Sequence, residues 1–400
     1  MNILFLFAQY PEDKNGSNLH KDLPEEFLRQ GNNVFVASIR ERKLGLKTAL
    51  SCEKGINVLR VRTGNMFNDV SKIEKGLSIL SMNKIILKSI KKHWGEIKFD
   101  LIVGSTPYTA NYKLVAGLKK YFHCPSFLIL WDLFPQNAKD LGLIKNKLLF
   151  NFFKRREIKS LENFDHIGCM SDGNLQYVIE HYPSISKNKL SIFPLWGDKK
   201  VDKFEIVSKR EDIGLAEDDF VLVFGGNMGK PQNLSNVIRL ANEVKEIDKI
   251  KFLFIGQGVE KKKIKDLSDS LNLNNTKFID QVDRKNYQAI MRSCDVGLVS
   301  LNKKFTVPNF PSKTMDYLKF DLPILAALDK AALNDYGNFI EKKAKVGLCS
   351  DASDMNAYKS NLLKLYRDRS LYNFYVANCS KTFSKEFNIE NNYKRIIECI

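Results

Sequence analysis

The chain has 400 residues, of which 44% are hydrophobic and 27% charged, with a formal net charge of +17. This excludes a disordered chain and leaves room for two domains, each with its own core. No segment approaches the roughly 20 apolar residues that span a bilayer. The seven cysteines lack any C-x-x-C or Cys/His spacing for a metal, so reduced thiols in a cytoplasmic protein are expected.

Ile3–Ala8 is apolar without a basic lead-in, so it reads as a buried first strand rather than a signal peptide. Further strands are expected at Asn33–Ser38, Val58–Arg62, Leu101–Gly104, Ser126–Trp131, His166–Met170 and Leu190–Phe193. Helix-period segments separate most of them. The pattern restarts with Phe220–Gly225, Lys251–Ile255, Thr276–Ile279, Val296–Ser300, Ile324–Ala327 and Gly347–Cys349. The expected class is α/β, two Rossmann-like doubly wound parallel sheets in series. The boundary should fall in the polar stretch Gly197–Asp219. The expected domains are 1–198 and 199–378, with a C-terminal helix in 379–400 returning to the first. Ligands of such sheets bind beyond the strand ends, so a cleft between the domains is the expected active site.

Several loops after strands suit an anionic ligand. Val223–Asn233 contains Gly225, Gly226, Asn227 and Gly229, then Lys230, ahead of a helix beginning near Leu234. Close backbone approach, a helix start and a cation together suit a diphosphate. The loop is neither a P-loop nor a dinucleotide fingerprint, and a plain tight turn is the alternative. Gly256, Gln257 and Gly258 form a second such loop, able to receive ribose or phosphate. The third, Val307–Tyr317, contains Asn309, Phe310, Pro311, Ser312, Lys313 and Asp316. Pro311 should open a helix whose first N–H groups, with the Lys313 side chain, make a second anion site. Asp316, one turn on, could hold the hydroxyls of a ribose. The alternative is an ordinary acidic first turn. In the first half, Gly16 and Ser17 should sit at a helix start. Asp132, ending a strand, should bind hydroxyls or act as a base, unless it merely caps a turn.

The positive charge favours an anionic partner: a membrane surface, nucleic acid or phosphorylated substrate, with plain solubility as the alternative. Residues 1–198 hold 29 Lys plus Arg against 19 Asp plus Glu. Within Asn83–Trp94, Lys84, Lys88, Lys91 and Lys92 take one side and Ile86, Ile90 and Trp94 another. Such a helix could rest on anionic lipid, or be a core helix with a solvated face. No aromatic-basic interleaving marks a nucleic-acid reader, so no nucleic-acid partner is expected.

These segments in order resemble the retaining glycosyltransferases of family four, which have the GT-B fold and include enzymes of bacterial O-antigen, capsule and exopolysaccharide synthesis. The resemblance rests on Leu23–Val36, Trp131–Pro135 with Leu141-Gly142, Asn163–Ser171, Pro194–Asp198, Gly225–Gln232, Asp280–Arg284, Ser293–Ser300, and Pro311–Tyr317 followed by Pro323–Ala327. It implies transfer, with retention, from a nucleotide diphosphate sugar, UDP-linked, to a saccharide or lipid-linked saccharide at the cytoplasmic membrane face. Lys230 and Lys313 would then meet the leaving diphosphate, Asp316 the ribose, and Gly16 and Asp132 the acceptor side. The family's paired glutamates, eight positions apart, are matched only by Asp316, because Pro308 stands at the first. Asn227 takes the place of a donor-loop arginine, and Gln232 that of a lysine. No Asp-x-Asp occurs, so neither an essential metal nor a cofactor beyond the donor is expected. A sugar-nucleotide epimerase of the same fold, or a non-catalytic donor-binding subunit, are the alternatives.

Overall fold

The computed structural model describes residues 1–11, 19–66, 70–106, 112–197 and 210–400. The chain divides into two compact units. Unit 1 comprises Met1–Lys139, Ile144–Pro194 and Ile389–Ile400, and unit 2 comprises Asp140–Leu143 and Leu195–Asn388. The expected terminal piece 379–400 is therefore split. Residues 379–388 stay with unit 2, and the segment belonging to unit 1 starts at Ile389.

Unit 1 is built from β1 (Asn2–Phe7), α1 (Leu19–Arg29), β2 (Asn33–Glu41), β3 (Ala49–Glu53), β4 (Ile56–Thr63), α2 (Lys72–Trp94), β5 (Leu101–Ser105), α3 (Tyr112–Phe122), β6 (Ser126–Leu130), α4 (Gln136–Asp140), α5 (Lys147–Asn163), β7 (His166–Cys169), α6 (Asp172–His181) and β8 (Leu190–Ile192). Its sheet runs β3-β4-β2-β1-β5-β6-β7-β8. All neighbours are parallel except β3 and β4. Ile3 to Phe7 are all buried, as expected of a central parallel strand covered on both faces.

α2 begins at Ser71, whose side chain accepts the Glu74 N–H. Its residues Ile86, Ile90 and Trp94, spaced four apart, are buried in the core of unit 1, with Trp94 against Phe35 and Phe99. The side formed by Ile86, Ile90 and Trp94 is thus covered by the domain itself. Lys84, Lys88 and Lys92 lie on its solvated face, together with the exposed Leu77, Leu80 and Ile85.

Unit 2 holds β9 (Phe220–Gly225), α7 (Ser235–Glu243), β10 (Ile250–Ile255), α8 (Lys261–Ser270), β11 (Thr276–Ile279), α9 (Arg284–Arg292), β12 (Val296–Ser300), α10 (Thr314–Lys319), β13 (Ile324–Leu328), α11 (Lys330–Ala332), β14 (Gly347–Asp351), α12 (Met355–Arg367) and α13 (Arg369–Glu386). α11 continues into π-helical turns. The helix α14 (Ile389–Ile397) then returns to unit 1. The sheet order β11-β10-β9-β12-β13-β14 is fully parallel. Connectivity reverses between β9 and β12, and the crevice beyond the carboxyl ends of those two strands is where such sheets bind ligands. Among the described residues, no helix is long and apolar enough to cross a membrane.

Candidate functional site

Gly225 ends β9 at that reversal, and the loop after it is fixed by backbone bonds to its neighbours. Gly226 N–H donates to Ile255 at 2.9 Å and Met228 N–H to Gln257 at 2.8 Å. Met228 is fully buried and pins the loop to the core. Lys230 begins a single 3-10 turn, Lys230–Gln232, which is exposed at Lys230. Asn233 follows with φ +42°, and α7 starts at Ser235. The turn is tied to the strand across the reversal, because Asn302, just beyond β12, donates its backbone N–H to Pro231 at 2.8 Å.

The glycines here serve different purposes. A methyl group at Gly225 would lie 2.2 Å from the Tyr287 hydroxyl, so bareness at this position admits a ring. Gly226, at φ +121°, has nothing within 4 Å of where its Cβ would be. Gly256 and Gly258 face the first loop instead. Their Cβ atoms would sit 2.1 Å from the Gly226 carbonyl oxygen and 2.4 Å from that of Met228. A ribose or phosphate contact was expected at Gly256; the side on which a Cβ would stand faces protein. Asn227 and Gln257 are exposed, and Gln257 donates to Asp280 at 2.8 Å.

The third loop differs from expectation in two ways. First, Pro311 does not open the helix. It leads a turn in which Thr314 N–H donates to the Pro311 carbonyl at 3.1 Å, and α10 begins only at Thr314. The N–H groups of Ser312 and Lys313 make no hydrogen bond within the described protein. Second, Phe310 is not a ligand-facing group. It is buried among Tyr336, Phe339 and Phe387, with ring centres 4.9, 5.3 and 5.8 Å away. Asn309 folds back on its own loop, donating to the Val307 carbonyl at 2.9 Å.

Lys313 carries the most informative electrostatics. Its ammonium lies 4.6 Å from the centre of the Phe224 ring, at the end of β9. Burial pulls its pKa down to about 8. Among the described residues no carboxylate pairs with it. A cation removed from water without a counter-charge is costly unless an anion arrives. Asp316, three residues on, is already engaged. Arg284 grips both its oxygens, at 2.6 and 3.1 Å. Arg284 starts α9, capped by Asp283, and its guanidinium carbon lies 5.5 Å from the Tyr287 ring centre. Gly225, Phe224, Tyr287, Arg284, Asp316 and Lys313 therefore belong to one neighbourhood at the end of β9.

Asp132 lies in unit 1, just beyond β6. Its N–H and that of Trp131 both donate to Thr106 Oγ1, at 2.9 Å each. Desolvation raises its carboxyl pKa, while the Asn137 side chain pulls the other way. His20 packs edge-on against Phe7 and Trp131, 5.0 Å from each ring centre, and burial lowers its pKa to about 4. Gly16 and Ser17 lie outside the described residues. No group of three or more potential metal-ligating side chains occurs among the described residues.

Residues 206–381 match the family described as Glycosyl transferases group 1. The chain carries a group 1 glycosyltransferase domain. Two curated relatives match, and the chain spans about half the length of each. It is 22% identical over 205 residues to a putative colanic acid biosynthesis glycosyl transferase, WcaI, of Escherichia coli K12, covering 50% of this chain and 49% of the relative. It is 26% identical over 216 residues to a probable glycosyltransferase, WbjE, of Pseudomonas aeruginosa, covering 51% of each. Among solved structures, sucrose-phosphate synthase from Thermosynechococcus elongatus superposes with a TM-score of 0.76 at 14% identity, over 99% of this chain and 97% of that one. Anabaena HepE in complex with UDP and glucose superposes with a TM-score of 0.68 at 15% identity, over 100% and 98%. The fold is GT-B.

Within the glycosyltransferase domain, reading the sequence missed Arg284 and Tyr287. Both lie on α9, far along the chain from the loops they complete. The Asp283 cap signals the start of that helix, but nothing local points to Asp316 as the partner of Arg284.

Proposed function

We propose that the chain transfers a sugar, with retention of configuration, from a UDP-linked sugar to a saccharide or lipid-linked saccharide in bacterial surface polysaccharide synthesis. The observation that carries the reading is the half-buried Lys313 side chain, its ammonium over the Phe224 ring and unpaired with any described carboxylate, at the end of β9. A departing diphosphate is the counter-charge it lacks. The unpaired amides of Ser312 and Lys313, the open backbone at Gly226 and the exposed Lys230 are the remaining candidate donors. Such preorganised donors lower the barrier where leaving-group charge develops. Asp316, steered by Arg284, keeps further lone pairs for ribose hydroxyls. HepE, which shares the fold, is described with UDP and glucose, and the two relatives are named for glycosyl transfer and, in one case, colanic acid biosynthesis. These descriptions support the donor class and the polysaccharide setting. Asp132 would serve the acceptor side, with Gly16.

Calorimetric titration with UDP and UDP-sugars tests this. Micromolar to millimolar binding by the wild type, lost in Lys313→Ala at unchanged melting temperature, is expected. Equal affinity of wild type and variant for UDP would remove the reading. Pro308, where the resembled family has a sugar-contacting glutamate, favours a second reading as a donor-binding subunit. UDP-sugar binding with neither transfer to any acceptor nor hydrolysis would select it.

A further inference from the structure

The stretch Leu141–Leu161 contains six Lys or Arg residues and a single carboxylate, Glu157. That carboxylate is turned inward. It accepts the Tyr182 hydroxyl at 2.5 Å and Lys154 Nζ at 3.4 Å. An α-helix turns about 100° per residue, so on α5 Leu148, Phe152, Arg155 and Lys159 share one stripe. Leu149 and Arg156 flank it, and Glu157 faces the opposite way. The stripe is bare. Leu148 is 80% exposed, Leu149 46% and Phe152 48%. Among the described residues, none of Arg155, Arg156 and Lys159 has a carboxylate partner, and the Arg156 guanidinium lies 5.5 Å from the Phe152 ring centre.

Three large apolar side chains in the first turns of a surface helix are unfavourable against water alone, and the cations that follow them on the same face have no carboxylate partner. Together they match a boundary that is apolar inside and negatively charged at its surface. We propose that the outward face of α5 docks unit 1 on an anionic lipid surface, with Leu148, Leu149 and Phe152 entering the headgroup boundary and Arg155, Arg156 and Lys159 meeting phosphates. Charge complementarity selects this occupant over a second copy of the chain, whose identical face would bring like charges together. The Ile86, Ile90 and Trp94 side of α2 is buried in its own domain and takes no part in this contact. The proposal concerns unit 1 and stands independently of the donor reading in unit 2.

Flotation of the full chain with vesicles provides the test. Binding is expected to phosphatidylglycerol/phosphatidylcholine vesicles and not to phosphatidylcholine alone, and it should weaken as salt rises. The Leu148→Ser/Phe152→Ser variant should lose most of this binding. Arg155→Ser/Arg156→Ser should weaken it about fivefold for each cation removed. Because these side chains are mostly outside the core, melting temperature and UDP affinity should stay at wild-type values, which separates failure here from failure of the donor site. Lys84→Ser/Lys88→Ser on α2 should leave vesicle binding within about twofold if ordinary surface charge is not responsible. The proposal is overturned by no wild-type flotation at low salt, by equal binding to neutral vesicles, or by unaltered binding of the α5 variants. A concentration-dependent dimer dispersed by Leu148→Ser/Phe152→Ser, without lipid binding, would also overturn it.

Discussion

The two glycine-rich loops of unit 2 look alike as sequence and differ as objects. Both follow a strand, and both hold glycine at positive φ, Gly226 in the first and Gly256 and Gly258 in the second. In the second loop, Gly256 and Gly258 are bare because another backbone lies against them. In the first, Gly225 is bare for a tyrosine ring, and only Gly226 opens onto empty space. A glycine pattern therefore reports that something comes close without saying whether it is a ligand or the protein itself. Here one loop is the buttress and the other carries the open backbone.

Gly256→Ala should break this division most severely. Its methyl group would meet a carbonyl oxygen in a neighbouring loop that has little room to move. A stability loss of about 3–5 kcal/mol is expected in denaturant unfolding, combining overpacking with positive-φ strain. Next comes Lys313→Ala, which should weaken UDP binding by about 2–3 kcal/mol, roughly 30- to 150-fold, by removing a charge-assisted contact. Stability should not fall, because the variant removes a half-buried charge that has no described counter-ion. Gly226→Ala should cost only about 1–2 kcal/mol of stability, from positive φ alone, and should reduce nucleotide affinity. Equal destabilisation by Gly226→Ala and Gly256→Ala would erase the distinction between the loops. Arg284→Met should cost about 1 kcal/mol of stability, since the pair with Asp316 is partly exposed, and should loosen binding of the nucleoside portion more than that of inorganic diphosphate.

The smallest effect is one of pH. Lys313 releases its proton at about pH 8 in the folded protein, against about 10.4 when unfolded. The Lys313 side chain is therefore charged at pH 7 and largely neutral at pH 9. UDP affinity should fall above pH 8 by at most about tenfold per unit, and Lys313→Met should abolish that slope. The stability of the ligand-free protein moves the other way. Between about pH 8 and 10.4 the unfolded chain holds more protons, so stability should rise with pH there. A titration of affinity against pH that is flat from 7 to 9 would place the decisive cation elsewhere.

Continuous apolar runs made the buried parallel strands legible, because a strand covered on both faces leaves little choice of side chain. β3 was missed for the same reason. Ala49–Glu53 is a short antiparallel edge strand, largely exposed, with no such run. The position of Lys313 just before α10 was legible from Pro311, although Pro311 leads a turn instead of the helix itself. Phe310 was misread because an aromatic residue beside a proline gives no local sign of the cluster that encloses it. The α2 lysines were visible, but periodicity could not say that the opposite side was already covered. Arg284 acquires its role from a partner 32 positions away, a pairing that only tertiary structure supplies.

The helix α14 imposes an order on the birth of the molecule. Asn392 donates to the Pro194 carbonyl at 2.7 Å, Tyr393 packs on Phe27 with ring centres 4.8 Å apart, and Ile396 is fully buried, all inside unit 1. A ribosome that has released the first 194 residues has therefore not yet supplied everything unit 1 needs. Unit 2 is threaded between the two portions, and the earliest-made domain is the last to close. A chain cut near residue 388 would keep unit 2 and take from unit 1 the helix that supplies Asn392, Tyr393 and Ile396.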